Sequence, residues 1–318
     1  MLVYLLFIIG FVLLVYGANW LVDGAASIAK RYRISHLVIG MTIVALGTSA
    51  PELVVNLVAS FKGSADVALG NILGSNISNI FLILGVSAMI FPLAVNKDTF
   101  SKEVPFALLG AVIFGILAND ILFDRTDSSM IYRTDGAVLV FFFVVFMYYA
   151  FSIARKKGIA ATPDIRTFPF WKSLVMIVAG MLALVAGGRW IVDGAVVIAA
   201  SLGMSEALIS LTIVALGTSL PELATCVAAA VKKNADMVMG NVLGSNIFNI
   251  FFVMGTSAVI KPLPFNQSLN FDVLIGIGSM VLLWFFLAIS GNRSLKRWHG
   301  GVLTLCYVAY IVILLMKG

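Results

Sequence analysis

TIVALGTSAPEL at 42–53 recurs as TIVALGTSLPEL at 212–223, and GNILGSNISNIF at 70–81 recurs as GNVLGSNIFNIF at 240–251. Both recurrences share one offset of 170 residues, and at that offset 17–88 lies over 187–258 without a gap. Trp20, Asp23 and Gly24 fall on Trp190, Asp193 and Gly194, and about half of the aligned positions are identical. A shared lipid-facing composition cannot produce matching Thr, Ser, Pro, Glu and Asn at a constant offset, so the chain reads as a duplication.

The duplicated unit is a membrane unit. Of 318 residues, 61% are hydrophobic and 11% charged, and the mean hydropathy is +1.07. Soluble domains carry roughly 25% charged residues. Ten apolar stretches can be counted, at 2–30, 37–61, 66–91, 103–119, 135–154, 170–200, 206–231, 236–260, 270–289 and 298–316. A helix needs about 20 apolar residues to cross a bilayer, so the expected fold is all-α and integral to the membrane, with ten transmembrane helices. The first 18 residues read as part of the first span and not as a signal peptide. No basic region precedes them, and the segment recurs internally.

Five spans per copy is an odd number, so the second copy enters the membrane from the opposite side, as an inverted repeat. The expected organisation is a first five-helix repeat at 1–154, a linker loop at 155–169 and a second repeat at 170–318. With the N-terminus outside, inside loops hold 15 of the 21 Lys and Arg and outside loops hold five. That bias predicts both termini outside and a cytoplasmic central loop, in the cell membrane. The net charge of +6 therefore reads as a topology signal, not as a nucleic-acid footprint. Cys226 and Cys306 read as core residues. His36 and His299 are expected in separate loops, which leaves no zinc spacing and no nucleophile–base pair for an intramembrane enzyme.

Four acidic residues fall within the predicted spans and away from their ends: Asp23, Glu52, Asp193 and Glu222. An ionisable group at membrane depth is costly and marks function. Thr48 and Glu52 are four apart and share a helix face. Between them Pro51 denies the Gly47 carbonyl its helical N–H, so the helix should break there. In the next span Ser75, Asn76 and Asn79 are polar, and Ser75 and Asn79 again share a face. The second copy repeats the set as Thr218, Pro221, Glu222, Ser245, Asn246 and Asn249. A carboxylate with hydroxyls, amides and freed carbonyls is a set of hard oxygen ligands, suited to calcium and sodium. Two glutamates brought together carry a charge of about −2, which one calcium ion or two sodium ions balance. Asp23 and Asp193 lack a neighbouring hydroxyl cluster and read as structural or gating groups, with a local Arg189–Asp193 pair. Asn71 and Asn241 read as capping or packing residues, and Asp66 and Asp236 as helix N-terminal charges.

At these residues the chain resembles the calcium/cation antiporter superfamily, on its sodium/calcium exchanger branch. GTSAPE with GNILGSNISN and GTSLPE with GNVLGSNIFN look like that superfamily's two alpha-repeats, and the resemblance covers nearly the whole chain. The proton/calcium branch typically carries GNA-x-E in place of GTS-x-PE. The resemblance implies ten helices around four central ion sites, no cofactor, and alternating access by two long helices sliding against the other eight. Carried over by motif position, the ligands are Glu52 and Glu222, the hydroxyls of Thr48, Ser49, Thr218, Ser219, Ser75 and Ser245, and carbonyls from Ala45 and Ala215. The central polar pair is Asn79 and Asn249. Some relatives have Asp at the position of Asn249, and Asn there argues against potassium co-transport. The expectation is a sodium/calcium antiporter working within the lipid bilayer, with a single chain sufficient for transport. Proton/calcium exchange is the alternative, and a cation channel is a further one, although a filter such as TVGYG is absent.

Overall fold

The computed structural model describes residues 2–123, 128–156, 167–202 and 215–317. Most of the expected linker (157–166) and the first part of the expected seventh span (203–214) therefore lie outside the described residues, as do Arg125, Lys157 and Arg166 of the charge count. Among the described residues, eight helices are long and apolar enough to cross a bilayer, and nine when one bent pair counts as a single span. They are α1 (Leu2–Tyr32), the bent pair α2 (His36–Thr48) and α3 (Ala50–Lys62), α4 (Ala65–Ile90), α5 (Thr99–Leu117), α6 (Arg133–Lys156), α7 (Phe170–Ser201), α9 (Ala235–Ile260), α10 (Gln267–Ile289) and α11 (Arg297–Lys317). The shorter α8 (Leu220–Val231) follows a single helical turn at Ala215–Gly217. The chain is a multi-pass integral membrane protein.

Helices α1 and α7 are the longest, at 31 and 32 residues. At about 1.5 Å per residue each spans well over 40 Å, more than the hydrocarbon core, so each must tilt. They run antiparallel against each other. Gly10 abuts the Gly187 carbonyl, and Gly17 abuts the Gly180 carbonyl. A side chain at any of these positions would collide with opposing backbone, so the approach depends on glycine. The 170-residue offset maps Gly10 onto Gly180 and Gly17 onto Gly187. The interface is thus self-complementary.

Helices α4 and α9 form the centre, with 78% of each apolar window buried against 17–39% for the other long helices. Each changes pitch midway. A π-helical stretch runs over Asn79–Ile83 in α4 and Phe248–Met254 in α9, beginning beside the equivalent residues Asn79 and Asn249. π-Bulges insert extra backbone and recur at functional sites. Two short sheets close the rims. Strand β1 (Leu93–Ala94) pairs with β4 (Ser294–Leu295), and β2 (Ser129–Ile131) pairs with β3 (Leu263–Phe265), both antiparallel. Each pairing joins the two copies, and α5 runs from β1 to β2.

One expectation needs correction. His36 and His299 are not loop residues. Each occupies the first turn of a helix and is buried. His36 is held by the Asn234 side chain at 3.0 Å. His299 accepts the Lys296 N–H at 2.9 Å and stacks on Phe286. Asp23 and Asp193 lie within α1 and α7, as expected. Their side chains are 43% and 60% exposed. Arg189 does lie near Asp193, at 3.8 Å, whereas Asp23 pairs with Lys232 at 2.8 Å, a partner from the other copy that local spacing could not indicate.

Candidate functional site

Two helix breaks build the site. Between α2 and α3 the chain bends by 47° at Ser49, whose ψ of 10° leaves the helical range. Ser219 repeats the conformation with ψ of 2° ahead of α8. Pro51 and Pro221 explain both, since each lacks the N–H that would continue the ladder but suits the first turn of the next helix. The break leaves Glu52 and Glu222 in the first turns of α3 and α8, where helix N-terminal dipoles favour negative charge.

Both carboxylates are wholly buried, as are Thr48, Ser49, Asn79, Ser245 and Asn249, while Ser75 and Ser219 are nearly so. Thr218 is half-buried. Ala45 is buried in the turn before the first break. Ala215 occupies the equivalent turn, and its side chain lies outside the described residues. Hydrogen bonds join Thr48, Ser49, Glu52, Ser75, Thr218, Ser219, Glu222 and Asn249 of this set.

All but one of the side-chain hydrogen bonds to the glutamate carboxylates cross between copies. Ser49 donates to Glu222 Oε1 at 2.8 Å, and Thr48 is a further partner of Glu222. Glu52 Oε1 accepts from Ser75 at 3.3 Å and also has Thr218 as a partner. Ser219 reaches Ser75 at 3.4 Å. Each glutamate is thus served by hydroxyls from the opposite broken helix. Ser245 departs from the symmetry, because its buried hydroxyl has no partner where Ser75 bonds Glu52.

The asparagines tie α4 to α9. Asn79 donates to Asn246 Oδ1 at 2.9 Å, and Asn249 donates to Asn76 Oδ1 at 3.0 Å. Asn76 and Asn246, equivalent by the repeat, each donate to the other's carbonyl at 3.4 Å. These bonds occupy the amide N–H groups of Asn79 and Asn249 and leave their oxygens over. Glu52 Oε2, Glu222 Oε2, Asn79 Oδ1 and Asn249 Oδ1 are all buried without a hydrogen-bond partner among the described residues. Four acceptor oxygens, two of them on carboxylates, take no donor from those residues. Such atoms cost about 1–3 kcal/mol each and more when charged, unless a cation takes the donors' place. No Lys or Arg pairs with either glutamate among the described residues. No cluster of three or more His, Cys, Asp or Glu occurs among them, and the polar atoms gathered here are carboxylate, hydroxyl and amide groups with hard oxygens.

Two residues read as packing groups touch the site directly. Thr48 donates to Asn241 Oδ1 at 3.2 Å, and Thr218 donates to Asn71 Oδ1 at 3.3 Å. Their presence in both copies of the G-N motif was the available signal. Cys226 and Cys306 are free thiols, the first buried.

The profile of the sodium/calcium exchanger protein family matches residues 2–152 and 172–316. The chain belongs to the sodium/calcium exchanger family. It is similar to the sodium/calcium exchanger MaX1 of Methanosarcina acetivorans, 32% identical over 98% of both chains. It is also similar to the structure of the sodium-calcium exchanger NCX_Mj soaked with 10 mM Na+ and 10 mM Sr2+, with a TM-score of 0.84 and 32% identity over 98% of each chain. More distantly it resembles the Ca(2+)/H(+) antiporter ChaA of Bacillus subtilis, 23% identical over 85% of this chain and 81% of that protein. As a member of this family the protein is a membrane ion antiporter and not an enzyme.

Proposed function

We propose that the chain exchanges sodium for calcium at a single cage formed by Glu52, Glu222, Thr48, Thr218, Ser49, Ser219, Ser75, Ser245, Asn79 and Asn249, with carbonyls from Ala45 and Ala215. The observation that carries this is the set of buried, donor-less oxygens on both glutamates and both central asparagines. Two carboxylates hold one calcium ion or two or more sodium ions at balanced charge, so the ions compete for the same oxygens and their fluxes are linked. Asn249 supplies an amide where a third carboxylate would add charge, which favours potassium-independent exchange. No cofactor is needed.

The architecture we propose is ten helices in two inverted repeats, 1–154 and 170–318, joined by a cytoplasmic linker with both termini outside. The antiparallel, self-complementary α1–α7 interface supports inversion. So does the strand pairing. Helix α5 separates β1 from β2, and β2 pairs with β3, so the equivalent strands β1 and β3 belong to opposite rims. Alternating access then moves the α1–α7 pair against the remaining helices.

The test is calcium uptake into proteoliposomes under separate sodium, potassium and proton gradients. Uptake driven by outward sodium alone is the expected result, and sodium-independent uptake driven by a pH gradient would overturn it in favour of proton/calcium exchange. Similarity to ChaA is what favours that second reading. A conductive calcium current without counter-ion would favour a channel.

A further inference from the structure

A hydroxyl has one hydrogen and two lone pairs. It serves as a cation ligand only when the hydrogen points elsewhere. Thr48 Oγ1 has three acceptors within reach, the Ala45 carbonyl at 3.3 Å, Asn241 Oδ1 at 3.2 Å and the Glu222 carboxylate. If the hydrogen goes to Ala45 or to Glu222, it occupies an oxygen that belongs to the proposed cage. If it goes to Asn241, that carbonyl and both hydroxyl lone pairs are free. The Asn241 amide is itself held from behind, because its Nδ2 donates to Cys226 Sγ at 3.3 Å, which turns Oδ1 toward Thr48.

The second arrangement of the same kind is built from different residues. Thr218 donates to Asn71 Oδ1 at 3.3 Å. The position equivalent to Cys226 is Asn56. Asn56 Oδ1 and Asn71 Nδ2 are both buried and unpartnered. One is an acceptor and the other a donor, in the places that Sγ and Nδ2 take in the bonded copy. The duplication has kept the threonine and its asparagine, while the sulfur anchor behind Asn241 has no bonded counterpart behind Asn71 among the described residues.

We infer that Asn241 and Asn71 are positioning residues that draw the hydroxyl hydrogens of Thr48 and Thr218 out of the cage, so that both hydroxyls act as acceptors toward the transported cation. This rests on the cage proposed above. The two asparagines act through the threonines, as supporting groups act through the ligands they orient, and set cation affinity without touching the ion.

The experiment is a double-mutant cycle on the full-length protein in proteoliposomes, reading the half-saturating calcium and sodium concentrations separately from the maximal rate. Calcium binding to the detergent-purified protein is measured alongside by calorimetry. Asn241→Leu removes the acceptor and should raise both half-saturating concentrations about three- to tenfold, the size of one hydrogen bond. Thr48→Val should do the same, and the double variant should be no worse than Thr48→Val alone. Asn241→Asp keeps the acceptor and should retain or tighten binding, whereas an amide presenting Nδ2 to Thr48 would lose it. Additive effects of Leu and Val, or a fall in maximal rate with affinity unchanged, would overturn the inference. The cycle of Asn71→Leu with Thr218→Val repeats the test if the first pair misfolds. A wild-type protein that binds neither cation would instead refute the cage, and the inference with it.

Discussion

Glu52→Gln keeps the shape of the side chain and removes one of two charges from a site with no solvent access. At a separation of about 4 Å and an effective dielectric of 20, a pair of unit charges interacts by about 4 kcal/mol. A sodium ion near Glu52 loses that much of its gross attraction, and a calcium ion loses about twice as much. The difference of about 4 kcal/mol corresponds to nearly a thousandfold shift in selectivity against the divalent ion. Screening by salt does not soften this, because the group is fully enclosed. The variant also relieves repulsion from Glu222, which helps both ions equally and leaves the difference intact. The assay is paired isotope flux in proteoliposomes, calcium uptake against outward sodium and sodium uptake against sodium. Calcium uptake should fall below detection while sodium–sodium exchange persists with weakened affinity. Calcium uptake with near wild-type half-saturation, or equal losses for the two ions, would refute the assignment of Glu52 to the cage.

Asn249→Asp adds a third carboxylate beside the two glutamates, and should tighten calcium binding and raise the number of sodium ions needed to displace it, read as a higher Hill coefficient in competition binding. Asn246→Leu removes the Oδ1 to which Asn79 donates and so strands the Asn79 amide, at about 1–3 kcal/mol, so the apparent melting temperature in detergent should drop measurably. Gly17→Leu forces a side chain against the Gly180 carbonyl. Overpacking costs about 1–3 kcal/mol, and the maximal exchange rate should fall more than calcium affinity. Lys232→Ala removes a half-exposed pair with Asp23 worth no more than about 1 kcal/mol. Stability should hardly change, and a loss of several degrees would show that this tie carries more than its exposure allows.

The duplication, the helix breaks and the buried polar residues around Glu52 and Glu222 were legible in the chain, because proline chemistry and helical spacing act locally. The family resemblance at the two G-T-S-x-P-E motifs agrees with the match over most of the sequence. What spacing could not reveal is which hydroxyl meets which carboxylate. Ser49 lies three residues before Glu52 yet bonds Glu222, and only the packing of the two broken helices decides that. Asn71 and Asn241 were read as packing groups for the same reason, since an amide on a helix face has no fixed partner until the facing helix is known. The pitch change beside Asn79 and Asn249 leaves no composition signature. Local spacing offered Asp23 no partner, whereas its side chain reaches Lys232 at the end of another helix.

The strand pairings carry a consequence for how the protein is made. Strands β1 and β2 emerge first, and their partners β4 and β3 belong to the second copy. Ser49, likewise, waits for Glu222. When residue 156 has left the ribosome, the first repeat holds two open strand edges and half of a charged cage, with well over a hundred residues still to be synthesised. At about 5–20 residues per second that interval lasts roughly ten to thirty seconds. For this time the insertion machinery must shelter an unfinished polar centre from lipid.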